Sequence, residues 1–327
     1  MKSTIKPTSV IQDIGSEIFV VRYSADGKFL AVACQDGGTR LYSTESHKLL
    51  YGFDMGQPNG FPITAMRFRP SIGSMYPALV TGSSDGHLKH WHVATSKMMY
   101  EIHEEDNQIL ALDYNPTGTR LATVGSDLNV RIYDEKTKSL LFVLNDQKQY
   151  EKPHSNRVFA LKFHPDQPDI LVSGGWDNTV QIWDLRTKKA EKFLFGPHIC
   201  GDALDIEGDE ILTGSYRSKD QLQLWDIRST SLIRTYRLPN ETVEEDEEIR
   251  ACLLYACQFG KNGNSGTILA SGSHANQFFV IDRQSGNVLD FFQSVKPIFS
   301  LDQFGSNYAC GGGNKSVYFF ERESGRS

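Results

Sequence analysis

Residues 154–186 read HSNRVFALKFHPDQPDILVSGGWDNTVQIWDLR. Two runs of alternating apolar residues lead into a Ser-Gly-Gly-x-Asp bend, and a third alternating run ends in Trp183-Asp184. A period of two predicts strands, and Gly, Asn and Asp at the bends supply the backbone conformations that tight turns need. Three short strands cannot bury their own apolar faces, so the unit predicts copies of itself stacked alongside.

The chain supplies them. Positions equivalent to Asp184 fall at Ser43, His92, Asp134, Asp226, Asp282 and Glu321, spaced about 46 residues apart on average. Each copy opens with an alternating strand and continues with a run ending in small residues (LAVAC, LVTGS, LATVG, LVSGG, ILTGS, LASGS, YACGG). Small side chains there suit a sheet that narrows towards an axis. A third strand carries Tyr42, Trp91, Tyr133, Trp183, Trp225 or Phe320, with Ile281 the exception, and a fourth strand follows in all copies but the last. Residues 9–14, SVIQDI, have the pattern to serve as that missing strand, and closing the ring with them removes two open sheet edges. The prediction is an all-β, seven-bladed propeller, a single domain spanning residues 1–327.

On these residues the chain resembles the WD-repeat β-propellers over essentially its full length, most clearly in the fourth repeat. The resemblance implies the fold, and it places the bend after each second strand, with the start of each first strand, on one "top" face around an axial channel. It also implies that Asp177, His154, Ser173 and Trp183 form a structural hydrogen-bond chain. The same parts would otherwise suggest a nucleophilic triad. Their recurrence as Thr81, Asp85 and Trp91, and as Thr123, Asp127 and Tyr133, marks architecture, so no catalytic residue is assigned and no enzyme activity is expected.

Composition agrees with a soluble globular protein: 39% hydrophobic residues, 23% charged residues and a net charge of -6. That charge argues against a broad footprint for nucleic acid or an anionic membrane. Five cysteines without paired CxxC spacing read as buried thiols in a reducing compartment, and no apolar run reaches the ~20 residues of a membrane span. The expected place is the cytoplasm, with the nucleus as the alternative. His87, His90 and His92 lack the cysteine or carboxylate to complete a tetrahedral set, so neither metal nor cofactor is expected. The acidic run at 244–248 reads as a solvated loop that repels nucleic acid or draws a basic partner.

Trp176 stands apart, because it sits in a bend where other repeats carry Gln35, Ser84, Ser126, His274 or Gly313. Implied top-face positions at the start of each first strand add Phe19, Leu110, Arg157, Phe159, Tyr255 and Phe299. Clustered aromatics beside an arginine are the composition of an interface hot spot. The expected function is therefore a monomeric, non-enzymatic scaffold that holds a protein or peptide partner in a multiprotein complex. The segments 145–156 and 238–250, joining fourth strands to the next first strands, would lengthen the same face. An alternative rests on residues 171–186 and their echo at 225–228: both end Trp-Asp-x-Arg, resembling propellers that act as substrate receptors of cullin-RING ubiquitin ligases. There Arg186 and Arg228 would meet an adaptor from the bottom face.

Overall fold

The computed structural model describes residues 3–54, 60–70, 77–144, 153–239, 251–261, 263–264 and 266–322. The acidic run at 244–248, and most of the segments 145–156 and 238–250, lie outside the described residues. Seven sheets, each built on four antiparallel strands, follow one another along the chain. Their first strands, Ile18–Tyr23, Ile63–Phe68, Ile109–Tyr114, Val158–Phe163, Leu204–Glu207, Cys252–Phe259 and Ile298–Phe304, touch in a closed cycle, so the sheets are the blades of a ring. Apolar clusters fill the space between neighbouring blades: Val32 and Tyr42 of blade 1, for example, bury against Ala309, Val317 and Phe319 of blade 7.

Ring closure uses both ends of the chain. Ser9–Ile11 pairs antiparallel with Val317–Glu321 as the outer strand of blade 7, with Ser9 opposite Phe319. Upstream of it lies a strand that the repeat pattern did not reveal. Ser3–Thr4 runs parallel to the outer strand Val288–Gln293 of blade 6, and the Ile5 N–H donates to the Phe291 carbonyl at 3.0 Å. Blade 6 is thus five-stranded, and its outer edge is covered by the protein's own chain.

In six blades the first strand carries a β-bulge at its second or fourth residue. The pairing jumps from Ile18↔Cys34 to Val20↔Ala33 in blade 1 and from Val158↔Gly175 to Ala160↔Gly174 in blade 4. The extra residue is Phe19 or Phe159 there, and Thr64, Leu110, Tyr255 or Phe299 in blades 2, 3, 6 and 7. A bulged residue has no partner in the ladder, so its side chain is turned out of the alternation. The small residues opposite have a sharper cause than a narrowing wedge. A Cβ on Gly175 would overlap the Arg157 carbonyl oxygen, which accepts the Trp176 N–H at 3.0 Å. Gly312 faces the Pro297 carbonyl in the same way.

Candidate functional site

The bulges build the collar. Phe19, Thr64, Leu110, Phe159, Tyr255 and Phe299, all half-buried, line a central cavity of about 290 Å³ together with Cys200 and Asp202 of blade 5. Their rings touch edge to face: Phe19 and Phe299 have centroids 5.8 Å apart, and Tyr255 and Phe299 5.2 Å. Tyr216 continues this arc against Tyr255 at 5.0 Å. On the blade 4 side, Trp176 lies 5.0 Å from Phe159 and stacks on His198 at 6.0 Å. It keeps 36% of its surface exposed, and Arg157 beside it is exposed as well.

Beneath the collar lies a layer that the sequence reading did not place. Three residues after each bulge come Arg22, Arg67, Asp113, Lys162, Gln258 and Asp302. Blade 5 has no bulge; its strand begins only at Leu204, so Asp202 drops from the collar into this layer beside Asp205. The Asp202 carboxylate accepts from Arg22 and from Arg67 (3.0 and 3.1 Å to Nη2), and Lys162 Nζ stands 3.4 Å away. Burial alone would raise its pKa, but Arg67, Lys162 and Arg22 outweigh that and hold it well below the usual carboxylate range. Asp113, Asp205 and Asp302 each accept a backbone N–H from a neighbouring blade: Phe163 at 2.9 Å, Phe259 at 2.9 Å and Tyr23 at 2.8 Å. Titratable groups thus converge just below the aromatic collar, with Arg22, Arg67 and Lys162 gathered on Asp202. The readable signal was a polar residue recurring at one fixed place in the first strands.

The tetrad of blade 4 is continuous. His154 Nδ1 is 2.7 Å from Asp177 and Nε2 is 2.7 Å from Ser173 Oγ, which also accepts from Trp183 Nε1 at 2.8 Å. His154, Ser173 and Trp183 are buried, so no substrate reaches the hydroxyl. Blades 2 and 5 keep only the last link, Trp91 to Thr81 and Trp225 to Thr213, each at 3.0 Å. Blade 3 departs from the expected Asp127: buried Glu104 accepts from Thr123 Oγ1 at 2.6 Å and Tyr133 Oη at 2.9 Å, while Asp127 pairs with Arg131.

The histidines of blade 2 separate. His90 is buried beside Glu135, whereas His87 stacks on His103. Among the described residues no group of three or more His, Cys, Asp or Glu side chains could hold a metal ion. Arg186 and Arg228 are 71% and 76% exposed and turn onto acids of their own blades, Asp184 at 2.6 Å and Asp209 at 2.8 Å.

Seven blades around a collared channel, with tryptophan-to-hydroxyl bonds inside several of them, define a repeat propeller. A family model described as "WD domain, G-beta repeat" matches residues 95–134 and 146–184, and one described as "Anaphase-promoting complex subunit 4 WD40 domain" matches residues 10–71. The chain belongs to the WD-repeat β-propellers. It is similar to "Guanine nucleotide-binding protein subunit beta-like protein" of Encephalitozoon cuniculi, 31% identical over 68% of this chain and 55% of that protein. It is also similar to "Pre-mRNA-processing factor 19" of Mus musculus, 28% identical over 59% of this chain and 35% of that protein. A third relative is "U3 small nucleolar RNA-associated protein 21 homolog" of Schizosaccharomyces pombe, 24% identical over 64% of this chain and 22% of that protein. The chain thus matches between about a fifth and just over half of the length of these relatives.

Proposed function

We propose that this protein is a non-enzymatic interaction scaffold that holds a peptide or partner protein on the collar face. The observation that carries the reading is Trp176: a half-open indole, stacked between Phe159 and His198, at the rim of an aromatic-lined cavity. Large rings with a dry side and an open side are the anchors of protein interfaces. Here a closed ring of sheets holds them in place, so docking costs little ordering entropy. Affinity purification of the wild type beside Trp176→Ala, with partners identified by mass spectrometry, tests it. The variant is expected to lose the partner while melting within a few degrees of the wild type. A large fall in melting temperature, or undiminished capture, overturns the reading.

Two relatives are named for pre-mRNA processing and for a small nucleolar RNA, which supports the nucleus over the cytoplasm expected from the sequence. The ubiquitin-ligase reading finds no comparable support. Arg186 and Arg228 are exposed, but each already has an intramolecular carboxylate.

A further inference from the structure

The collar cavity has walls and a floor of different character, and together they specify what enters it. Five of the polar side chains that line it, Arg22, Thr64, Arg67, Asp202 and Ser300, already have hydrogen-bond partners. Thr64 Oγ1 donates to the Ile109 carbonyl, Ser300 Oγ accepts from the Val21 N–H and from Arg22 Nη1, each at 3.1 Å, and the Tyr255 ring packs against Tyr216 with centroids 5.0 Å apart. The Cys200 thiol lies in the same wall. The charged floor is paired within itself too. Arg22 Nη1 donates to the Val21 carbonyl at 2.6 Å and the Leu301 carbonyl at 3.2 Å, while its Nη2 holds Asp202. Arg67 Nη1 donates to the Met66 carbonyl at 3.0 Å, and its Nη2 holds both oxygens of Asp202.

A charged group entering this cavity would lose its water and find no free counter-ion. A cation would be the fourth around Asp202, and an anion would have to pull Arg22 or Arg67 off acceptors they already hold. Both outcomes leave a buried group unpaired, which costs more than the contact returns. An apolar side chain meets no such conflict, since the walls offer it the faces and edges of Phe19, Phe159, Tyr255 and Phe299. The rim adds a charge preference. Arg157 is exposed next to Trp176, and Arg217 rests on two neutral acceptors, Asn178 Oδ1 at 2.6 Å and the Gly196 carbonyl at 3.3 Å. Among the described residues no carboxylate pairs with Arg157 or Arg217, so this part of the rim carries positive charge, on a chain whose overall balance is -6.

Building on the scaffold reading, we propose that the collar captures a partner peptide by inserting one uncharged apolar side chain, leucine, phenylalanine or tryptophan, into the central cavity. A carboxylate of the same peptide meets Arg157 and Arg217 at the rim. The cavity rejects lysine and arginine at the inserted position, so the floor acts as a filter and the rim sets the orientation.

Selection of a random 12-residue peptide library displayed on phage against the 327-residue chain tests this, followed by anisotropy titration of the selected synthetic peptides. The expected consensus is one apolar residue with Asp or Glu nearby. Replacing that residue by Ala, or filling the cavity with Leu110→Trp, should weaken binding about tenfold or more. Arg157→Glu should weaken it and flatten its salt dependence. Phe299→Ala, which widens the cavity, gives a second reading should Leu110→Trp fail to fold by circular dichroism. A consensus built on Lys or Arg, or Trp176-dependent binding indifferent to both cavity variants, overturns the inference and leaves the scaffold reading standing. Failure to select any peptide that depends on Trp176 overturns both.

Discussion

Arg67 and Asp202 grip each other across the channel, with Nη2 3.0 and 3.1 Å from the two carboxylate oxygens, although 135 residues separate them in the chain. In a ring of seven, blades 2 and 5 are as far apart as two blades can be. Arg22 of blade 1 reaches the same carboxylate from the other side, and Lys162 approaches it from blade 4. Four blades thus converge on one acid, a tie through the middle of the ring in addition to the packing between neighbours. Asp202→Ala would leave three cations facing one another in a buried layer. The expected loss is about 3–5 kcal/mol in urea unfolding, the range for breaking a buried pair. A loss below about 1 kcal/mol would show that the layer is solvated and the tie unimportant.

Ser173→Ala makes a different cut. It strands Trp183 Nε1 and His154 Nε2, both buried, and should cost about 1–3 kcal/mol for the unsatisfied groups. In blade 5 the corresponding Thr213→Val strands only Trp225 Nε1, so its cost should be smaller. Equal losses in the two blades would mean that His154 and Asp177 add nothing to the link.

Acid should unfold the protein in two stages. Burial holds His90 below its ordinary value despite the pull of Glu135, and burial does the same to His164 and His198. A histidine held low favours the folded state fully above its unfolded value of about 6.5, and that contribution shrinks as pH falls below it. Asp202 and Asp177 are held low by their cationic or hydrogen-bonding partners against the effect of burial. Their contribution is full above about pH 3.9 and disappears as pH falls through their folded values. A melting-temperature profile from about pH 8 down to about pH 1 should show both declines, with His90→Gln flattening the first. An unchanged first stage in that variant would assign it to the other histidines.

Gly175→Ala links fold and site. The new methyl would collide with the Arg157 carbonyl, the acceptor for the Trp176 N–H, so the bend carrying the indole must shift. The expectation is a loss of about 2 kcal/mol with weakened partner capture, read by urea unfolding and pull-down. Capture at wild-type strength would mean that Trp176 is positioned by its ring contacts alone.

The blades were legible in the sequence because each strand reports its burial as a period of two, and the same signal returns every 39 to 56 residues. Phe19, Leu110, Phe159, Tyr255 and Phe299 were legible only as recurring positions. The bulge that turns them inward is a relation between two strands, and neither strand alone encodes it. Blade 5 shows the limit: Asp202 occupies the repeating slot, yet without a bulge it leaves the collar and joins the ions below. The ionic layer itself stood in plain view as Arg22, Arg67, Asp113, Lys162, Asp205, Gln258 and Asp302. What their order conceals is which charges meet, because the partners belong to blades distant in the chain.

The pairing of Ser9 with Phe319 also fixes an order of events during synthesis. Ser9–Ile11, which closes the ring, is synthesised some 310 residues before the strand it pairs with. At ~5–20 residues per second, some 310 residues of further synthesis take on the order of 15–60 s. Throughout that interval the early segment has no edge to join within its own chain. On a crowded polysome, a finished neighbour whose blade 7 is still open could accept it, giving dimers joined by an exchanged strand. Transferring residues 3–14 to follow blade 7 would remove that wait, and with it the route to exchange.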